Sequence, residues 1–229
     1  MNPYEKLMAR KRKWTPVQTT AGECKAGAEE AIHRALALRH MELPVGDFIT
    51  NALNSEVPAL AREVLESNVK DEENHDIALG YIANAYGVDP QAEKEALRLR
   101  TAWEAHPDHT ITKAMVAERA IFFVLLPFFR FNGDAGMRTV SADISRDEQI
   151  HVAVNSLAHT ELGYNISPSL DKLRKATINW VMQPLGINTT DKYLDKKFWL
   201  DSSDRLMYCL LYTSPSPRDA TLSRMPSSA

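Results

Sequence analysis

Apolar residues recur along this chain every three or four positions, and no stretch alternates with the period of two that marks a half-buried strand. Ala28, Ile32, Ala35, Leu38 and Leu43 predict a helix from near Ala21, capped by Thr19 or Thr20, running toward Glu42. Pro44 and Gly46 kink or break it before Phe48, Ile49 and Leu53 resume the spacing. A second helix is expected over 56–86, with Val57, Leu60, Val64, Leu65, Val69, Ile77, Leu79 and Ile82 on its core stripe and Gly87 to Pro90 ending it. Residues 91–105 read as a charged, solvated helix, and 106–109 as a loop. The apolar run 120–129 belongs to a helix capped by Thr110 or Thr112 and closed by Asn132, Gly133 and Asp134. Helices over 137–161, 169–181 and 191–208 complete an all-α pattern.

Two charged segments interrupt the apolar stripes, and they match. Lys70-Asp71-Glu72-Glu73-Asn74-His75 and Arg146-Asp147-Glu148-Gln149-Ile150-His151 share the order basic-Asp-Glu-x-x-His, seventy-six positions apart. Glu and His three apart leave one face of a helix, a turn from each other. The same offset relates Glu42 to Glu118, and each lone Glu precedes its Glu-x-x-His by thirty residues. Thirty residues is two helical arms and a short loop, which brings the positions level in an antiparallel pair. One internal repeat therefore supplies six candidate metal ligands: Glu42, Glu72, His75, Glu118, Glu148 and His151. Two Glu-x-x-His helices and two helices each adding a Glu are the donor set of a di-metal site in a ferritin-like four-helix bundle.

Carboxylates on an apolar stripe must be paired or ligated, because an isolated buried charge is very costly. Two cations account for all six groups together. Glu30 and His33 have the same spacing without the preceding Asp or a repeated partner, and read as ordinary helix surface. Asp71 and Asp147 are placed to accept the free ring N–H of a ligating histidine, the one on the opposite motif, fixing its tautomer. His40, His106, His109 and His159 have no such context and are expected at the surface.

A formal net charge of −3 gives no sign of nucleic-acid binding, and the longest apolar run is too short, and broken by Pro127, to cross a membrane. The basic stretch Arg10 to Lys13 is not followed by an apolar segment, so it is no secretory signal; it reads as a solvated face, and the chain as cytoplasmic. Residues 209–229 resemble translated sequencing-adapter sequence and are set aside as a non-native tail, the natural chain being expected to continue past Tyr208. Cys24 is then the sole native cysteine, which excludes a disulfide framework and a cysteine-rich metal site. The expected organisation is a basic N-terminal segment (1–20), a di-metal bundle (21–165), additional C-terminal helices (166–208) and the tail.

Residues 118–129 (ERAIFFVLLPFF) and 142–151 (ADISRDEQIH) resemble the second metal-binding half of the small, radical-generating subunit of class I ribonucleotide reductase. The resemblance implies a ferritin-like fold, two iron ions (or an Fe/Mn or Mn/Mn pair), and reductive activation of O2, with Phe122 lining the metal site. That family carries its radical tyrosine four residues after the first motif's His, where this chain has Leu79. Glu at all four carboxylate positions, and Asp before both motifs, is more similar to the di-iron oxygenases. The expected function is O2-dependent oxidation or hydroxylation of a small substrate by a di-iron oxidoreductase. A reductase small subunit is the first alternative, and ferritin-type iron storage or ferroxidase activity the second. The partners implied are O2, a small-molecule substrate or a reductase large subunit, an electron-donor protein and a second copy of the chain.

Overall fold

A computed structural model describes residues 1–208. The tail at 209–229 lies outside the described residues. The chain is all-α: no strand occurs among the described residues, only an isolated bridge between Gly186 and Asp195. No helix among them is long and apolar enough to cross a membrane.

Four rods enclose the core. They are α3 (Glu42–Asn54), α4 (Arg62–Tyr86), a rod built from α6 (Thr110–Ala117) and α7 (Phe123–Asn132), and α8 (Ala135–Glu161). α3 neighbours α4 and α6, while α8 neighbours α4, α6 and α7, so the four close into a bundle. Around it lie α1 (Pro3–Met8), α2 (Glu29–Ala37), α5 (Pro90–Ala105), α9 (Pro168–Met182) and α10 (Lys196–Tyr208).

Local chemistry sets the ends. Asp134 caps α8 by accepting from the Met137 N–H at 2.8 Å, and Ser167 caps α9 ahead of Pro168. α4 stops at Gly87 (φ +95°) and α8 stops next to Gly163 (φ +69°), conformations that a side chain would strain.

Several expectations are corrected. Helix α2 begins at Glu29 rather than near Ala21. Gly27 at φ +87° interrupts helical winding, and the preceding segment is pinned by Gly22 N–H to Asp134 Oδ2 and Lys25 N–H to Asn132 O, both 2.8 Å. A 3₁₀ turn over Leu38–Met41, not a kink at Pro44, separates α2 from α3, and Pro44 falls in the first turn of α3, where no N–H is needed. The second helix begins at Arg62, after Pro58 and a 3₁₀ turn. His109, not a threonine, caps α6, accepting from the Ile111 N–H at 3.2 Å. Leu43, Leu60 and Ile77 are exposed; Ile77 leaves α4 about 200° from His75 at roughly 100° per residue.

Candidate metal centre

All six repeat-derived residues face one another inside the bundle, each at most 2 % exposed. Glu42 comes from the start of α3, Glu72 and His75 from α4, and Glu148 and His151 from α8. Glu118 opens a π-helical turn, Glu118–Phe122, in which the Phe123 N–H reaches back five residues to the Glu118 carbonyl. Such a turn winds in one extra residue, re-aims the side chains before and after it, and recurs at functional sites.

Glu72 and Glu148 occupy the middle. The Nδ1 of His75 lies 3.3 Å from Glu72 Oε2 and 3.4 Å from Glu148 Oε1. The Nδ1 of His151 lies 3.0 Å from Glu72 Oε1 and 3.6 Å from Glu148 Oε1. These four residues form a buried cluster that can hold a metal ion, with ligand atoms all within 4.8 Å of one another. Glu42 flanks the His75 side at 3.8 Å, and Glu118 the His151 side at 3.7 Å.

The donor atoms themselves test the fit to cations. Glu42 Oε2, both oxygens of Glu72 and of Glu148, Glu118 Oε1 and both imidazole Nδ1 atoms are buried without a hydrogen-bond partner. Buried polar atoms are ordinarily satisfied, and orphans that converge on one point are what positive charge would satisfy. The far nitrogens are occupied. His75 Nε2 faces Asp147 Oδ2 at 3.4 Å and His151 Nε2 faces Asp71 Oδ2 at 3.0 Å, the crossed arrangement expected from the sequence. Each imidazole thus offers its Nδ1 inward.

Without cations, protons must do their work. Burial, with the nearby Glu72 carboxylate, pushes Glu42 up to about 8. Burial likewise pushes Glu148 up to about 7 and Glu118 well above the usual carboxylate range, each helped by neighbouring carboxylates. Burial opposes charge on His151, but Glu148, Glu72 and Asp71 raise it to about 10. His75 is raised well above an ordinary histidine by Asp147, Glu42 and Glu72, again against burial. Burial would raise Glu72 as well, yet the two imidazoles hold it below the usual range.

The N-terminal segment closes the site from outside, and this corrects its reading as a solvated basic face. Lys11 Nζ pairs with Asp71 and reaches Asn68 Oδ1 at 2.9 Å, with its side chain only 9 % exposed. Arg12 bonds Asp143, and Trp14 Nε1 donates to Asp147 Oδ2 at 2.5 Å while its ring stacks over His75, centroids 6.2 Å apart. Asn155, absent from the sequence reading, donates to Glu118 Oε2. It stands four residues after His151; the repeat puts Leu79 in its place in the first half.

The remaining expectations divide. Phe122 is buried within the π turn. Glu30 pairs with Arg34, and His33 rests against Tyr86, so neither joins the centre. His40 pairs with Glu93 at 2.6 Å and His106 with Ser169 at 3.1 Å. His159 is not at the surface: it is buried and bonded to Thr112 Oγ1 at 3.1 Å. No protein-family model and no curated protein matches the chain.

Proposed function

We propose that this chain is a ferritin-like di-metal carboxylate oxidoreductase that activates O2 to oxidise or hydroxylate a small organic substrate. The single observation that carries this reading is the set of eight orphaned donor atoms converging from four helices. Glu72 and Glu148, which lie near both imidazoles, would hold the cations together with Glu42 and His75 on one side and Glu118 and His151 on the other. Oxygen-and-imidazole donors without thiolate suit iron and manganese. Two reduced ions held there supply the electrons that dioxygen needs. Asp71 and Asp147 orient the imidazoles, Asn155 holds one oxygen of Glu118 so that the other points inward, and the apolar wall after Glu118 excludes water.

A second reading, a ribonucleotide reductase small subunit, is favoured by one feature. Trp14, Asp147 and His75 form a hydrogen-bonded line from an oxidisable indole to a metal-facing imidazole, suited to passing electrons across the bundle wall. Against a stable tyrosyl radical stand Leu79, buried and not oxidisable, and the positions of Tyr81 and Tyr86. Tyr81 lies six residues from His75, roughly 600° around the helix and so about 120° away from the His75 direction, and Tyr86 lies roughly 16 Å along the axis.

Mixing di-ferrous protein with O2, freezing, and recording electron paramagnetic resonance separates the two. The oxygenase reading expects no long-lived tyrosyl signal. A signal near one spin per site, lost in Tyr81→Phe or Tyr86→Phe, would replace it with the reductase reading.

A further inference from the structure

The π turn that presents Glu118 is held from outside the four-rod bundle. Ser203 on α10 is fully buried, and its hydroxyl donates at 2.6 Å to the carbonyl of Ala120, in the middle of the turn. Behind it stands Arg174 on α9, a fully buried guanidinium whose Nη1 donates to the same Ser203 oxygen at 2.7 Å. Asp171 accepts from the Nε and Nη2 of Arg174 at 2.9 and 2.7 Å, and Asp204 accepts from Nη2 at 2.7 Å. A second bond joins the turn to α10, from Arg119 Nε to the Leu206 carbonyl at 2.5 Å. Glu42, the repeat counterpart of Glu118, instead follows a 3₁₀ turn at the start of α3.

The order of donors fixes what the hydroxyl does. A guanidinium can only donate, so the Ser203 oxygen accepts from Arg174 and its single proton is left for Ala120. The adjoining cation polarises that O–H and strengthens the bond it gives. Winding an extra residue into a turn takes carbonyls off their regular four-residue register, and a donor from another element compensates for the change. We infer that Ser203, polarised by Arg174, is a positioning residue that holds residues 118–122 in π winding and thereby aims Glu118 into the centre. Return of this segment to α winding would turn Glu118 by about 100°, one residue's worth, relative to the helix that follows. The consequence for metal binding rests on the di-metal reading; the hold on the turn does not.

Amide hydrogen exchange of the metal-free full chain, followed by mass spectrometry, tests it. Exchange at 118–126 should be about tenfold faster in Ser203→Ala than in the wild type, with α4 unchanged. Ser203→Thr, which keeps the hydroxyl, should exchange as the wild type does. In protein loaded with Fe(II), a chelator should remove one ion, the one beside Glu118, faster from Ser203→Ala and the other at the wild-type rate. General loosening of α10 would not confine the change to one ion. Wild-type exchange at 118–126 in Ser203→Ala, an equal rise in α4, or no recovery in Ser203→Thr overturns the inference, as does a loaded Ser203→Ala in which neither ion or both leave faster. A chain that takes up no iron yet shows the local rise in exchange refutes the di-metal reading and leaves the hold on the turn standing.

Discussion

The Nε2 of His151 lies 3.0 Å from Oδ2 of Asp71, eighty positions earlier in the chain and in the other half of the repeat. Asp147 meets His75 in the same crossed sense. Each half of the molecule therefore orients the inward-facing imidazole of the other, and each aspartate is held from behind by the N-terminal segment, Asp71 by Lys11 and Asp147 by Trp14.

Replacing either aspartate should loosen the metals without unfolding the bundle. Asp71→Asn and Asp147→Asn are each expected to lower metal affinity by roughly 10- to 100-fold. Anaerobic titration with Fe(II), alongside circular dichroism, checks this, and unchanged affinity in both variants would deny the aspartates their orienting role. Lys11→Met should show a milder loss in the same direction, since Asp71 keeps its contact with His151.

The two halves are alike but not equal. Asn155 fixes Glu118, whereas its repeat counterpart, Leu79, gives Glu42 no such hold. The ion beside Glu42 and His75 should therefore leave first, and chelation should proceed in two phases. Glu42→Ala is expected to retain about one ion per chain and Glu72→Ala fewer, because Glu72 faces both imidazoles. Asn155→Leu should bring the two chelation rates together. A single phase in the wild-type protein would contradict the asymmetry.

Removing the metals should make stability strongly pH-dependent. Glu42, near 8, and Glu148, near 7, bind their protons more tightly folded than unfolded, as does His151, near 10. The stability these protons confer is full below the unfolded values and is lost as pH climbs through the folded ones. Glu72 works the other way, losing its contribution as pH falls through its depressed value. The metal-free melting temperature should thus fall between about pH 7 and 10, while the loaded protein holds steady, because bound cations replace the protons. Metal uptake at neutral pH should release protons, measurable by calorimetry in buffers of different ionisation enthalpy. Melting curves that run parallel with and without metal would contradict this.

Much of the site was legible because ligand spacing is local. Glu-x-x-His needs one helical turn, and repetition at a fixed offset pairs the lone glutamates with their partners. What stayed hidden depends on tertiary placement or on deviations from regular winding. The π turn at Glu118 leaves no pattern of its own at the start of the apolar run. The seating of Lys11 and Trp14 against two aspartates joins segments about sixty and more than a hundred and thirty positions apart. Asn155 carried one usable signal, an amide four residues after His151 on the stripe of the ligands. The late start of α2 follows from the conformation of Gly27, which composition alone does not separate from a tolerated helical glycine.

Metal content measured against protein concentration decides whether one buried cluster holds two metals. Protein reconstituted anaerobically with Fe(II), desalted and assayed by plasma emission spectroscopy should carry close to two ions per chain. His75→Ala and Glu148→Ala should lose much of that complement while keeping their helicity. Retention of two ions in both variants, or a wild-type protein that leaves the column without metal, would contradict a two-metal centre built from these residues.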